Sequence, residues 1–162
     1  MKTGNNRYQN ARSTEFEERV LQIRRVSKKT SGGNSIGFTA LVVIGDRNGK
    51  VGLGYGKATD VATAITKGVT SAKRNMIDVK VTGNTIPHIV TAKFGSAKII
   101  MKPAPKGSGI IAGGSVRTVV ELAGIKDISA KMIGSSNKMC NIKGTLEALR
   151  KLKGQHETQP TN

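Results

Sequence analysis

The sequence has few of the residues that build stacking, disulfide or metal sites. It has no tryptophan, and its aromatic side chains are two tyrosines and three phenylalanines among 162 residues. A platform that stacks single-stranded bases needs several aromatic rings, so we do not expect one here. Cys140 is the single cysteine, which excludes a disulfide framework and a cysteine-based zinc cluster. The core must therefore be aliphatic.

Acidic residues are also scarce, and they form no catalytic pattern. Ten acids stand against 27 lysines and arginines, which gives a formal net charge of +17. The acids form no paired or metal-spaced set, and the two histidines, His88 and His156, lie far apart in the chain. No constellation for acid–base, nucleophilic or metal chemistry is present. We expect no enzyme, no metal site and no cofactor.

The excess of positive charge points to an anionic partner. A compact body this basic repels itself unless a partner neutralises it. Nucleic acid is the usual partner, because each Lys or Arg at a phosphate releases a condensed counterion. With so few aromatic rings, we expect recognition of the backbone and shape of structured, mostly duplex RNA or DNA. A free duplex-RNA-binding regulator and a structural RNA-binding protein both fit this composition.

Long apolar runs are missing. The longest, residues 40–44, is too short to cross a membrane, and MKTGNNRYQNARST at the start has no apolar segment of the signal-peptide type. We therefore expect no membrane contact and a reducing cytoplasmic setting. Residues 1–14, a basic arm, and 154–162, a polar tail, are expected to be flexible.

Hydrophobic periodicity predicts two α+β units that meet near residues 84–87. The first unit, residues 15–83, is expected to have three antiparallel strands and one helix, and the second, residues 84–153, a β-sheet with two helices. Asn48-Gly49 is a hairpin signal, and Thr59 is the expected N-cap of the first helix. The expected strands are 20–29, 38–46, 50–57, 86–94, 96–104 and 126–134, and the expected helices are 59–77, 115–123 and 138–153.

The stretch KVGLGYGKA at residues 50–58 has the composition of a phosphate-binding loop but not its spacing. A Walker A loop needs Gly where Val51 stands and Ser or Thr where Ala58 stands, and a dinucleotide fingerprint needs Gly at Lys57. Alternation instead predicts a strand with one flat face. That face is formed by Gly52, Gly54 and Gly56. Either the following helix or an RNA backbone must approach it closely.

A second glycine cluster, GSGIIAGGS at residues 107–115, precedes a predicted helix. Free N–H groups at the start of a helix bind anions. The alternative is a tight packing loop against the sheet or a protein neighbour, which the apolar Ile110 and Ile111 favour. A third feature is basic: Arg24, Arg25, Lys28 and Lys29 run into Ser31-Gly32-Gly33 and predict a positively charged finger.

Three long segments resemble one known family. GGNSIGFTALVVIGDRNGKVGLGYGKA, KRNMI at residues 73–77, and GSGIIAGGSVRTVVELAG at residues 107–124 resemble the fifth small-subunit ribosomal protein of bacterial type. The resemblance covers about residues 15–153. It implies an N-terminal unit related to the double-stranded-RNA-binding fold and a C-terminal unit of the ribosomal domain-two-like type.

The resemblance implies a structural constituent of the small ribosomal subunit. Such a protein binds small-subunit ribosomal RNA, supports subunit assembly and translational accuracy, and lies near the site where messenger RNA enters. It contacts the fourth and eighth small-subunit ribosomal proteins and forms no homo-oligomer. Its loop Ser31-Gly32-Gly33 lies near the site where spectinomycin binds the RNA.

From the resemblance and the charge pattern, two sets of site residues are expected. The RNA-binding set is Arg24, Arg25, Lys28, Lys29, Gly32, Gly33, Asn34, Phe38, Arg47, Lys50, Tyr55, Lys57, Lys73, Arg74 and Asn75. The protein-interface set, directed at the fourth small-subunit protein, is Gly107, Gly109, Gly113, Gly114 and Arg117.

The sequence departs from the family pattern in two places. Asn34 follows the paired glycines, where family members usually have Lys or Arg, and Ser31 precedes them, where Lys is common. The finger therefore has less charge than is typical, although Lys28 and Lys29 remain. Lys138 replaces the usual Pro at the start of the last helix.

Overall fold

The computed structural model describes residues 16–152, so the expected arm at 1–14 and the tail at 154–162 lie outside the described residues. The fold is α+β, with an antiparallel sheet in the first half and a second sheet with helices in the other, as expected. In chain order the elements are β1 (Glu17–Thr30), β2 (Gly33–Gly45), β3 (Lys50–Ala58), α1 (Val61–Arg74), β4 (Met76–Asp78), β5 (Val90–Phe94), β6 (Ala97–Pro103), β7 (Ile110–Ile111), α2 (Gly114–Leu122), β8 (Ile128–Ile133) and α3 (Lys138–Arg150).

The first sheet has the order β1-β2-β3-β4, with four strands where three were expected. The predicted helix over 59–77 ends at Arg74, and the residues that follow form β4, which pairs with the start of β3. The expected N-cap was also wrong. Asp60 caps α1, because its carboxylate accepts hydrogen bonds from the backbone N–H groups of Ala62 at 3.1 Å and Thr63 at 3.5 Å.

The segment 31–35, expected to separate the first two strands, is mostly strand itself. Only Ser31 and Gly32 turn the chain, and Gly33 already pairs with Thr30. Gly33 has φ +129°, a conformation that favours glycine. The β1–β2 ribbon is therefore longer than the sequence pattern suggested.

The second sheet has the order β5-β6-β8-β7, and only β7 runs parallel to its neighbour. β7 was not expected, because two residues inside a glycine-rich stretch give no periodic signal. Strand β6 alternates strictly at its start, with Ala97, Ile99 and Met101 buried. Ile99 and Met101 join the larger core cluster on the side of the sheet that α3 covers.

The flat glycine face of β3 packs against α1. Of the two neighbours expected for this face, the structure shows the helix and not an RNA backbone. A Cβ atom added at Gly54 would lie 2.6 Å from the backbone nitrogen of Ala72 and would overlap the carbonyl oxygen of Gly68. Gly68 is needed for the same reason, since a Cβ there would lie 2.9 Å from Val42 Cγ2. Strand and helix backbones are thus in direct contact.

The hydrophobic core has two parts separated by the first sheet. The smaller part lies between the sheet and α1, and includes Val42 and Ala72. The larger part is continuous through both halves of the chain, from Leu41 and Val43 on the opposite face of β2 to Val119 on α2. The two units therefore share a core. No helix in the described part of the chain is both long and apolar enough to span a bilayer.

Backbone contacts fix the two halves to each other at the β2–β3 turn. The N–H of Arg47 donates to the carbonyl of Leu122 at 3.0 Å, and the N–H of Gly49 donates to that of Ala123 at 3.0 Å. Gly124, with φ +87°, has no room for a Cβ beside the backbone of Arg47. The turn is therefore docked on the C-terminal end of α2.

Candidate nucleic-acid interface

A two-stranded finger extends from the first sheet. Strand β3 ends at Ala58, opposite Phe38, so residues 26–37 of β1 and β2 continue as a ribbon that pairs only with itself. Side chains alternate between the two faces of a strand. Lys28 and Lys29 therefore point to opposite faces of the ribbon, while Arg24 and Arg25 precede it on β1, at its base, where β2 still pairs with β3. The predicted finger exists, and it is basic on both faces.

The tip of the finger is open. A Cβ at Gly32 or Gly33 would meet no heavy atom within 4 Å, and Asn34 is exposed opposite Lys29. The hydroxyl of Thr30 donates to the carbonyl of Gly33 at 2.8 Å and closes the turn. The tip thus presents backbone and small side chains that a bulky partner can approach closely.

At its base the finger forms a groove with the start of α1. The groove has a volume of about 510 Å³, and its lining includes three lysines: Lys28 on β1, Lys57 on β3 and Lys67 on α1. None of its lining residues is acidic. Lys67 was missed in the sequence, because its approach to the finger depends on how α1 packs over β3.

Two of the predicted aromatic residues lie on opposite faces of the first sheet. Phe38 is half-buried beside Arg25 and Ala58 at the base of the finger. Tyr55 is 52% exposed and points away from α1, into a groove of about 230 Å³ that also includes Arg24. They do not form a common stacking platform.

Other members of the predicted RNA-binding set lie away from the finger. Lys73 and Arg74 are exposed in the last turn of α1, where positive charge also stabilises the helix dipole. Asn75 follows them and lies near α3 in a groove with Lys143 and Arg150. A helix of 14 residues places them roughly 20 Å from the start of α1.

Arg47 and Lys50 lie at the other end of the sheet. Strand β2 has 13 residues, so the β2–β3 turn is about 40 Å from the fingertip. The guanidinium of Arg47 also pairs with the carboxylate of Glu17 at 2.6 Å. The fifteen predicted residues therefore form a finger cluster and two separate positions, not one site.

Arg117 belongs to a chain of ion pairs that connects the two halves. It donates to Glu121 at 2.9 Å, Glu121 also accepts from Arg19 at 2.6 Å, and Arg19 contacts Glu17 at 3.4 Å. Glu17 continues the chain to Arg47. The hydrogen bond from Arg117, followed by that from Arg19, holds the pKa of the Glu121 carboxyl below its ordinary value of 4.5. Arg19 had no distinguishing signal in the sequence.

The second glycine cluster has two parts with different roles. The N–H groups of Gly107 and Gly109 donate to one oxygen of Asp127, at 3.1 and 2.9 Å, and Asp127 is 4% exposed. This part is a packing loop held by an internal carboxylate. Gly113 caps α2 without a side-chain hydrogen bond, and Gly114 has open space around it. With Arg117, the predicted interface residues line this loop and the first turns of α2.

The remaining polar candidates stay isolated. His88 and Cys140 are half-buried, and no group of three or more potential metal ligands occurs within residues 16–152. The Nδ1 atom of His88 is buried and lacks a hydrogen-bond partner among the described residues. The surface that stands out is therefore the basic finger with its groove.

Comparison with protein families agrees with this arrangement. The profile of ribosomal protein S5, N-terminal domain, matches residues 16–80, which include the finger, the glycine face and α1. The profile of ribosomal protein S5, C-terminal domain, matches residues 92–159. Members of this family are structural, non-enzymatic proteins of the small ribosomal subunit that bind its RNA. The chain belongs to the ribosomal protein S5 family.

Proposed function

We propose that the β1–β2 finger is the main contact of this protein with small-subunit ribosomal RNA. The observation that carries the proposal is the presence of basic side chains on both faces of a ribbon that extends beyond β3. A single flat RNA surface would engage only one of the two adjacent lysines, Lys28 or Lys29, because they point to opposite faces of the ribbon. A finger placed between two RNA segments engages both.

The groove at the base of the finger supports the same proposal. The lining of this space of about 510 Å³ includes Lys28, Lys57 and Lys67 and no acidic residue. Lysine ammonium groups bind phosphates as point charges and need no base-specific geometry. We expect a phosphate segment of the RNA backbone in this groove.

Binding is therefore expected to be mainly electrostatic. With about six to ten phosphate contacts, affinity for small-subunit ribosomal RNA should fall on the order of 10³–10⁵-fold between 50 and 200 mM salt. Replacing Lys28 and Lys29 with Gln should reduce the slope of log K against log salt by about 1.8, at roughly 0.9 per phosphate contact. Filter binding over a salt series measures both quantities.

The control is Lys143→Gln with Lys151→Gln, which removes the same charge at α3, away from the finger. An affinity of the unsubstituted protein that hardly changes with salt would contradict the electrostatic proposal. An equal change of slope in both double variants would show that only total charge matters.

The protein is further proposed to contact the fourth small-subunit ribosomal protein through the loop and first turns of α2. Support comes from the open space at Gly114, the 62% exposure of Ile111 and the 57% exposure of the Arg117 side chain. The proposal has three further parts. The protein lies near the decoding region and the site where messenger RNA enters, it contacts the eighth small-subunit protein, and it is cytoplasmic. These follow from the family resemblance.

Arg117 gives a test of the role in accuracy. A carboxylate of the neighbouring protein would compete with Glu121 for this guanidinium, and an exposed pair contributes only ~0.2–1 kcal/mol. That amount matters in a balanced two-state switch, where ~1.4 kcal/mol changes an equilibrium constant tenfold. Arg117→Leu should leave subunits assembled and raise miscoding by favouring the closed state of the subunit.

Stop-codon readthrough and subunit yield measure this effect. Arg150→Leu, which also removes an exposed arginine paired along a helix, is the control and should not change readthrough. Unchanged readthrough of Arg117→Leu with normal subunit yield would contradict a role in accuracy. Loss of subunits would show instead that Arg117 is architectural.

A further inference from the structure

The outer face of the second sheet carries lysines on three neighbouring strands. In β5, β6 and β8, side chains alternate between the core and the outside, and the outward basic residues are Lys93, Lys98, Lys102 and Lys131. All four are exposed. We call these four residues the lysine face. None of them belongs to the set of RNA-binding residues expected from the sequence.

The strand register places these charges close together. Lys93 lies directly opposite Lys98, while Lys98 and Lys102 are four residues apart on β6, which is about 13 Å. Lys131 on β8 lies opposite Ile100, and therefore midway between Lys98 and Lys102 along the strand direction. The lysine face is thus a compact patch that is about two strand spacings wide.

Nothing in the described chain neutralises this patch. Strands β5, β6 and β8 contain no Asp or Glu, and none of the four lysines forms an ion pair within residues 16–152. Like charges directly opposite each other destabilise an antiparallel pair. The Lys93–Lys98 pair therefore opposes folding slightly and has no compensating ion pair within residues 16–152.

The apolar residues on the same face fit between the lysines. Ile133 lies opposite Lys98 and is 45% exposed, and Ile100 lies opposite Lys131. Lysine stems cover neighbouring apolar surface while their ammonium groups stay in solvent. The charged ends therefore form the outermost layer, which is what a partner meets first.

We propose that the lysine face is a second RNA-backbone site, separate from the finger. Charge complementarity favours a duplex RNA segment, because point-charge ammonium groups spread over a flat surface bind rows of phosphates without reading sequence. The proposal rests on the proposed binding of ribosomal RNA, and it adds a second contact from the other half of the chain. Together the two sites let one protein connect two RNA segments.

The test removes three charges from the lysine face of the full chain. Lys93→Gln, Lys98→Gln and Lys131→Gln together should reduce the salt slope for small-subunit ribosomal RNA by about 2.7, at roughly 0.9 per contact. Affinity at 100 mM salt should fall at least about tenfold. The matched control replaces Lys80, Lys106 and Lys151 with Gln, which removes three exposed charges that form no ion pair within residues 16–152 and lie outside the lysine face and the finger.

The outcomes separate this proposal from the previous one. If Lys28→Gln with Lys29→Gln weakens binding and the lysine-face variant does not, the lysine face is not an RNA site, while the finger remains one. If the lysine-face variant and its control lose the same affinity, net charge alone is responsible and the proposal is wrong. Salt-independent binding by the unsubstituted protein would instead contradict the finger proposal.

Acetylation of lysines gives a second measurement that needs no variant. Small-subunit ribosomal RNA should protect Lys93, Lys98 and Lys131 from reaction and leave Lys143 reactive. Protection by poly-glutamate and not by RNA would identify an acidic protein as the occupant and overturn the proposal. Continued reactivity of all three lysines in the RNA complex would overturn it as well.

Removing a lysine of the lysine face should raise the stability of the free protein while it lowers RNA affinity, which gives a further test. Lys98→Gln removes the repulsion from Lys93, so the melting temperature of the free protein should rise by about 1–2 °C while RNA affinity falls. Lys151→Gln should change neither quantity. A lysine face that only solvates the protein would give the rise in melting temperature without the loss of affinity, and that result would contradict the proposal.

Discussion

The two sheets of this protein differ in how many of their faces are covered. Over residues 39–45 the central strand β2 is buried on both sides, by α1 on one face and by the shared core on the other. Strand β6 is buried on one side only, and its outward side chains include Lys98 and Lys102. The two sheets therefore leave different surfaces for a partner.

The difference shows how each half keeps charge away from its core. In the first sheet the central strand β2 has no basic residue, so positive charge lies on the edge strand β1, on the ribbon and at the sheet ends. In the second sheet alternation puts charge on the open face of the same strands that build the core. The covered sheet offers a partner mainly its extension, whereas the open sheet offers its own outer face.

The largest expected effect tests the covered sheet. Gly54→Ala places a methyl group against the backbone of Gly68 and Ala72, and neither backbone can move without separating α1 from β3. The free energy of unfolding should fall by about 3 kcal/mol or more, because overpacking against backbone cannot be relieved by a rotamer change. Urea denaturation measures the loss.

Gly114→Ala is the matched glycine control for this substitution. A Cβ there meets nothing within 4 Å, and alanine is the better helix former at the start of α2. Its unfolding free energy should stay within about 0.5 kcal/mol or rise slightly. Similar losses at both glycines would show that the close contact between α1 and β3 is not what stabilises the first sheet.

A smaller effect separates the two faces of the open sheet. Ile99 is 0% exposed and Ile100, its neighbour in β6, points to the outer face. Ile99→Ala should lower the free energy of unfolding by about 3 kcal/mol, and Ile100→Ala by less than about 1.5 kcal/mol, because only the first leaves a cavity in the core. Equal losses in a urea titration would mean that the outer face is covered in the free protein.

The smallest effect concerns the ion pairs that connect the two halves. Glu121→Gln removes the charge that Arg117 and Arg19 share, and should cost about 1 kcal/mol of unfolding free energy at pH 7. The pKa of Glu121 is lowered in the folded state, so this stabilisation is complete above its ordinary value of 4.5 and is lost as pH falls through the lowered folded value. The difference between variant and unsubstituted protein should therefore shrink in acid.

Denaturation at a series of pH values measures this dependence. Glu147→Gln, which removes an exposed pair with Arg150 inside α3, should change stability by less than about 0.5 kcal/mol at pH 7. A Glu121→Gln difference that stays constant from neutral to acidic pH would show that the charge of Glu121 does not contribute.

Several elements follow from local chemistry and were predicted correctly. The strands expected over 38–46 and 96–104 and the hairpin at Asn48-Gly49 depend on local residue patterns, and β2, β6 and the β2–β3 turn lie there. The short strands β4 and β7 were missed, because three and two residues are too few to show a period. The N-cap was placed one residue early, since Thr59 and Asp60 are both good capping residues.

The residues of the candidate interface also divide into those predicted from local sequence and those that depend on tertiary contacts. The basic finger was predicted, because its charges are consecutive in the chain and a β-ribbon needs only neighbouring residues. Lys67 in the groove, Arg19 in the ion-pair chain and Asp127 under the glycine loop were not predicted. Each acts on residues distant in the chain, and no local pattern records such a contact.

The sequence by itself determined the α+β class, the family, the positive charge and the flat glycine face, because these depend on composition and short-range spacing. Only the tertiary structure decided what covers each surface. The packing of α1 on Gly54 removed that face from any RNA, and the pairing of β5, β6 and β8 gathered separate lysines into one patch. Burial and strand register join residues far apart in the chain, so they exist only once the chain has folded.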